Sequence, residues 1–308
     1  MSDRSAPRSG TRAVAIGGGH GLSRSLAALA QVVEHVTAIV TVADDGGSSG
    51  RLRRDHDVVA PGDLRMALAS LARDRDAAEL IQYRFDRGEL DGHSLGNLIL
   101  LALQDLAGGD VVRALDALGR LLDVPGRVLP CTTVPVTMAA RAAGTEVVGQ
   151  AAIAAKTGIE RVWLDPAAPP ATAEALAALD AADLIVLGPG SLFTSVLPNL
   201  LVPSIADAVV RATVPRVLVA NLREQRGETE GLSLPDHLDA LAAHVPGLPI
   251  DVLVAHAGDG PDRGVPLEVE HDQLRPRVGH LVVTDLFDGV DGHDPEALAR
   301  CFAGILDR

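Results

Sequence analysis

The segment Ala13–Ser23, AVAIGGGHGLS, constrains the fold more than any other part of the chain. An apolar run, Ala13–Ile16, leads straight into Gly17, Gly18, Gly19, His20 and Gly21, and a helix-like stretch opens at Leu22 and Ser23. This is the pattern of a buried strand delivering a tight turn onto a helix N-terminus, where bare backbone N–H groups can face an anion. A second junction of the same kind lies at Asp183–Thr194, DLIVLGPGSLFT, where Gly188, Pro189, Gly190 and Ser191 follow the run Leu184–Leu187. Two such turns predict a phosphorylated ligand, first of all a nucleotide. The competing reading of each is a plain tight turn. The first turn does not complete G-x-G-x-x-G, since the third glycine falls on Leu22 or Ser23, and no Lys-Ser/Thr follows to make a Walker A loop.

Strand-like and helix-like segments then alternate. Ala13–Ile16 and Val36–Val42 read as strands covered on both faces, with a helix over Leu22–Gln31 between them. Asp63–Ala72 reads as a helix, residues 76–123 as a largely helical insertion, and Gly126–Thr133 and Val147–Gly149 as β. Arg161–Leu164, the helix Thr172–Leu179 and Leu184–Leu187 look like a β-α-β unit. Val217–Asn221, Ile250–Ala255 and Leu281–Thr284 are further strands, and a helix near Pro295–Leu306 closes the chain. The expected fold class is α/β: a Rossmann-like, doubly wound, mostly parallel sheet with a helical insertion. Residues 1–11 read as a disordered tail and 12–308 as a single domain. Ligands of such sheets bind beyond the strand C-termini, so the glycine- and aspartate-rich turns should meet at one crevice.

Composition removes several function classes. Acidic residues outnumber basic ones 41 to 27, giving a net charge of −14, whereas nucleic acid and anionic membranes call for a positive surface. No run of ~18 apolar residues offers a membrane helix, and the polar start MSDRSAPRSGTR lacks the apolar centre of a secretory signal. Cys131 and Cys301 share no metal-ligand spacing, which fits free thiols in a reducing compartment. The expectation is a cytoplasmic protein without nucleic-acid or membrane-inserting partners.

The remaining candidates sit at turns. Asp44 and Asp45 end the second strand, about where a dinucleotide fold places its ribose-binding acid, and the following GGSSG turn could instead help them hold magnesium. Adjacent strand side chains point opposite ways, so one is expected inward and the other supporting. Asp63 after Pro61-Gly62 is either an ordinary helix cap or a site residue, with Arg65 in reach of a carboxylate or phosphate. His93, Ser94 and Asn97 crowd one turn at the mouth of an apolar helix, and His93 joins Asp44 and Asp45 as a catalytic candidate. Thr194, Asn199 and Asn221 complete the ligand-facing set, and no G-x-S-x-G elbow is present.

Taken together, TAIVTVADDGGSSGRLR, PGDLRMAL, GHSLGNLIL, LGPGSLFTSVLPNLLV and the RGET of Arg226–Thr229 resemble the YvcK branch of the YvcK/CofD-like family over roughly residues 13–240. The resemblance implies a Rossmann-like fold that binds UDP-N-acetylglucosamine and regulates cell shape and wall homeostasis on gluconeogenic carbon sources. Regulatory protein partners and a homodimer belong to the same expectation. The CofD branch implies instead a magnesium-dependent 2-phospho-L-lactate transferase, with Asp44 and Asp45 matching its acidic pair and the GPGS turn its nucleotide-phosphate region. The chain departs from the branch at His20, where threonine is usual, and at Phe193, where tyrosine is usual. It departs again at Arg226, in place of proline, and at Gly292, where an arginine usually precedes His293-Asp294. If that arginine grips the diphosphate, this chain must replace it or bind more weakly.

Overall fold

The computed structural model describes residues 7–56, 58–258, 260 and 264–308. The first half runs β1 (Arg8–Gly17), α1 (Gly19–Leu29), β2 (Val33–Val40), α2 (Gly47–His56), α3 (Gly62–Leu71), α4 (Arg75–Gln82), α5 (Leu95–Leu106), α6 (Val111–Leu121) and β3 (Arg127–Pro130). A small antiparallel unit follows, with β4 (Thr137–Ala142), β5 (Thr145–Val148), α7 (Gln150–Ala154) and β6 (Ile159–Asp165). The second half runs α8 (Ala173–Asp180), β7 (Leu184–Leu187), a π-helical turn (Leu192–Val196), α9 (Leu197–Leu200), α10 (Pro203–Arg211) and β8 (Arg216–Val219). It ends with α11 (Leu234–His244), β9 (Val252–His256), α12 (His271–Leu274), β10 (His280–Thr284) and α13 (Pro295–Leu306).

Seven strands form one sheet in the order β10-β9-β8-β7-β1-β2-β3, and every neighbouring pair is parallel. The order reverses between β1 and β7, where Ala13 pairs with Leu184 and Ile16 with Leu187. A parallel sheet with helices on both faces buries its strands twice over. Accordingly all four residues of β7, Leu-Ile-Val-Leu, are buried, as are the last five of β1. The doubly wound architecture expected from the alternation is the one observed. At the reversal two adjacent strand ends diverge to opposite faces, leaving a crevice that neither crossover covers.

Three sequence readings change. Arg8–Arg12 belong to β1, with Arg8 pairing Val33, so the expected tail is strand from residue 8 onward; residues 1–6 lie outside the described residues. Polar composition was misleading there because this strand end is held by backbone partners and by Arg8 on the carbonyls of Leu306 and Ala303. Arg161–Leu164 is not a strand of the main sheet: β6 pairs antiparallel with β4 in the separate order β5-β4-β6. Gly47–His56, within and beyond the polar turn after Asp44, is helix. The helical stretch 76–123 resolves into α4, α5 and α6, capped where Asp74 and Asp110 accept from the N–H groups of Ala77 and Arg113. Among the described residues no single helix is long and apolar enough to cross a membrane.

The two glycine turns touch. A Cβ on Gly21 would lie 2.4 Å from the carbonyl oxygen of Pro189 and 2.7 Å from Cα of Gly190, so glycine is required for this approach. Ser25 Oγ donates to the carbonyl of Gly188 (2.6 Å) and Asn199 Nδ2 to that of Gly17 (3.1 Å), tying each turn to the other half of the molecule. Replacing Gly21 by alanine is therefore expected to cost roughly 1–3 kcal/mol, as overpacking against backbone does. Thermal unfolding of Gly21→Ala checks this, and an unchanged melting temperature would contradict the close contact.

Candidate functional site

The crevice at the β1/β7 reversal opens into a cleft of about 860 Å³, walled by His20, Gly21 and Ser23 of α1, by Pro189 and Gly190, and by Asn221 after β8. Turns that are more than 160 residues apart in the chain thus share one rim. α1 begins at Gly19 with Gly18 as its N-cap and no side chain capping it. Gly18 has no side chain to cap with, and Asp63 takes only the Gly19 N–H, so the remaining first-turn donors and the positive end of the helix dipole are left without a cap. Gly19 adopts φ of +63°, and the Ser23 hydroxyl turns back to its carbonyl. Gly17 and Leu22 are buried and serve the packing beneath the turn.

The second turn is built differently, because its donors are used up inside the protein. Glu228, 3% exposed, accepts from the N–H of Phe193 (2.7 Å), the N–H of Thr194 (2.9 Å) and the Thr194 hydroxyl (2.9 Å). Burial pushes the Glu228 carboxyl up, while the bonds from Thr194, Phe193 and Ser191 pull it down. Asn221 clasps Gly190 from both sides, accepting from its N–H and donating to its carbonyl, each at 3.0 Å. Gln225 Nε2 donates to Ser191 Oγ (2.8 Å). Asn199 is fully buried and spends its amide on the carbonyls of Gly17 and Ser195. Ser191, Thr194 and Asn199, expected to face the ligand, are thereby structural: a carboxylate of the chain itself occupies the donors an external anion would need. The anion site narrows to the start of α1.

β2 ends at Val40, so Asp44 and Asp45 lie in coil beyond it and do not end the strand as expected; they turn to different partners. Asp44 Oδ1 accepts from the N–H of Gly46 (2.9 Å), and its Oδ2 fills the space a Cβ on Gly62 would need. Asp45 Oδ1 accepts from the N–H of Ala151 at the start of α7 (3.0 Å), and its Oδ2 lies against Gly149. The two carboxylates therefore do not fit a magnesium ion held between them. Among the described residues no group of three or more His, Cys, Asp and Glu side chains has the arrangement of a metal site.

Asp63 is the partner of Asp44 instead. It is not a cap, since the N-cap of α3 is Pro61; its carboxylate occupies the space where a Cβ on Gly18 would stand and receives the N–H of Gly19. Burial pushes its pKa up to about 7 and Asp44 adds to the rise, against the pull of the Gly19 N–H and Arg65. Arg65, 4% exposed, is braced by neutral groups: Nε donates to Asn97 Oδ1 (3.0 Å) and Nη1 to Gln82. Asn97 Nδ2 in turn donates to Ser48 Oγ (3.1 Å), which also meets His93 Nδ1 (3.1 Å). Asn97 thus belongs to a buried polar network that the half-buried His93 joins through Ser48, and neither residue lines the cleft.

The cleft's cations were not anticipated. Arg24 lies one turn into α1, ion-paired with Asp288 (2.8 Å) and Asp291 (3.5 Å). Its guanidinium occupies the space beside Gly292, where a Cβ would come within 3.1 Å of Nη2. The position lacking an arginine side chain is thus filled by an arginine from another element. Arg223 and His293 line the same wall. The helical pitch that turns Arg24 to the cleft side of α1 was a usable signal; that Gly292 comes to rest against it was not.

A carboxyl whose pKa is raised on folding stabilises the native state at low pH and loses that contribution as pH climbs from its unfolded pKa, near 4, to its folded value, about 7. Each unit of difference is about 1.4 kcal/mol. Asp63→Asn removes the titration while keeping an acceptor for Gly19. The variant is expected to melt several degrees above the parent at pH 8 and to match it near pH 4. A melting difference that does not change with pH would refute the raised pKa.

Residues 13–284 match the family described as 2-phospho-L-lactate transferase CofD. A Mycobacterium tuberculosis (strain H37Rv) protein called "Putative gluconeogenesis factor" is 46% identical over 314 residues, covering 96% of this chain and 90% of that one. The "Gluconeogenesis factor" of Bacillus subtilis (strain 168) is 41% identical over 264 residues, 84% of this chain and 83% of its own. A crystal structure of a UPF0052-family protein from Bacillus halodurans superposes with a TM-score of 0.90 at 36% identity, over 94% of this chain and 98% of that one. With a seven-stranded parallel sheet of matching architecture and relatives this similar along nearly its whole length, the chain belongs to the CofD/YvcK family.

Proposed function

We propose that this protein is a gluconeogenesis factor of the YvcK type: a cytoplasmic, non-catalytic regulator that binds UDP-N-acetylglucosamine in the β1/β7 cleft. In this reading the occupied state is read by partner proteins that adjust cell shape and wall synthesis on gluconeogenic carbon sources, and the protein works as a homodimer. The observation that carries it is the pairing of a helix start with a glycine N-cap, α1, with a cleft large enough for a nucleotide sugar, beside Arg24 and Arg223. Phosphate oxygens would take the N–H groups of His20 and Gly21, the Gly19 N–H being held by Asp63, and Arg24 would supply charge-assisted bonds from the side. The names of the relatives support the regulatory role.

A second reading, transfer of a phospholactate-like group from a nucleotide-activated substrate, is favoured by Asp63. A carboxyl poised near pH 7 beside the anion-binding helix start is suited to proton transfer. The divergence of Asp44 and Asp45 weighs against the magnesium this chemistry would call for.

Calorimetric titration with UDP-N-acetylglucosamine is expected to give a single saturable site per chain, and Arg24→Ala is expected to weaken it about tenfold, the loss of one charge-assisted contact. Absence of heat at millimolar ligand would overturn the binding reading. Phosphorus NMR of the same mixture with magnesium tests the non-catalytic claim: the nucleotide sugar is expected to stay intact for hours, and released UDP or UMP would show that the protein cleaves it.

A further inference from the structure

His293 is nine-tenths buried on the cleft wall, next to Gly292 and opposite the start of α1. Its Nε2 lies 2.9 Å from the carbonyl oxygen of Ala220, at the end of β8. A carbonyl can only accept, so Nε2 carries the proton and Nδ1 is left with a lone pair. Burial pushes the imidazole down to about 4, with His256 and Arg24 adding to the fall and Asp288 opposing it, so the ring is neutral at physiological pH.

No donor among the described residues reaches Nδ1, yet it is not one of the sealed, unpartnered side-chain nitrogens of the interior. His293 itself lines the cleft. His256, the other imidazole of this corner, differs: its Nδ1 accepts from the N–H of Leu286 (3.0 Å), and its proton-bearing Nε2 is sealed off near Gly258, out of reach of a ligand. The backbone holding His293 is rigid. Phe287 and His293 form a β-bridge, Asp294 donates from its N–H to the Leu286 carbonyl, and Asp288 Oδ1 gathers the N–H groups of Val290, Asp291 and Gly292.

We propose that His293 is a specificity-determining residue of the cleft, its Nδ1 accepting a hydrogen bond from an N–H or O–H of the bound nucleotide sugar. A fixed, largely desolvated acceptor discriminates because a ligand without the matching donor leaves it unpaired. The donor is a base imide N–H, a ribose hydroxyl or a hydroxyl of the attached sugar. The inference rests on the nucleotide-sugar reading above.

The test compares UDP-N-acetylglucosamine, UDP, N3-methyl-UDP and 2′- and 3′-deoxy-UDP in calorimetry with the parent protein and with His293→Phe and His293→Gln. One change, the loss of whichever donor His293 accepts, is expected to weaken binding to the parent about tenfold and to have no effect on His293→Phe. His293→Gln, which keeps a donor for Ala220 and an acceptor for the ligand, is expected to recover most of the discrimination. If every ligand change costs the same in parent and His293→Phe, the proposal is overturned while nucleotide-sugar binding stands. If the parent binds none of the ligands, both fall. Nitrogen-15 NMR of the parent gives a readout independent of the variants' folding: the Nδ1 resonance is expected to move upfield on ligand addition, and an unmoved resonance would overturn the proposal.

Discussion

The structure depends on two glycine turns being pressed together at the reversal of strand order. Gly21 meets Pro189 and Gly190 at distances that exclude any side chain, and Ser25 and Asn199 bond each turn to the backbone of the other half. This contact sets how far the ends of β1 and β7 can diverge, and so the width of the cleft beyond them. It also aims the start of α1 at that cleft. A looser junction would leave the N–H groups of α1 pointing at bulk water, where an anion gains little from them.

The two turns look alike in sequence and do different work. One helix start gives a single N–H, that of Gly19, to Asp63; the other gives two backbone N–H groups to Glu228, an anion supplied by the chain itself. Burying a carboxylate is unfavourable unless its oxygens are satisfied, and three donors from the GPGSLFT segment meet that need. The result is a braced wall: Glu228, Gln225 and Asn221 lace the loop after β8 to the second turn, so that the residues facing the cleft are held by groups behind them.

A second cluster of buried charge lies on the opposite side of α1. Asp44 and Asp63 repel each other, Arg65 is braced by neutral amides, and the imbalance settles on Asp63 as a carboxyl that titrates near neutrality. Its contact with Gly18 and Gly19 places that titration directly under the anion-binding helix start. On the proposed reading, protonation of Asp63 and occupancy by an anion favour one another, since an ionised carboxylate there competes for the same field.

Much of this was legible in the residues. Periodicity located β7, β8, β9 and α13 closely, since strands buried on both faces must be apolar throughout, whereas β1 and β2 begin in polar residues ahead of their apolar runs. Local pattern left Asp44 and Asp45 undecided, because they lie in coil beyond β2 and Asp45 finds its partner in a distant segment. It could not tell β6 from a strand of the main sheet, since the partner of a strand is chosen by distant segments. Nor could it say which polar residue faces a ligand and which one satisfies the protein. Thr194, Asn199 and Glu228 carry groups that suit either role, and the choice was made by what packed against them. The chain alone thus determined the class of fold and the kind of turn at each strand end, which depend on neighbours in sequence. The tertiary structure decided which turn stays open to an anion, and that Arg24 stands beside Gly292, because both are contacts between segments far apart along the backbone.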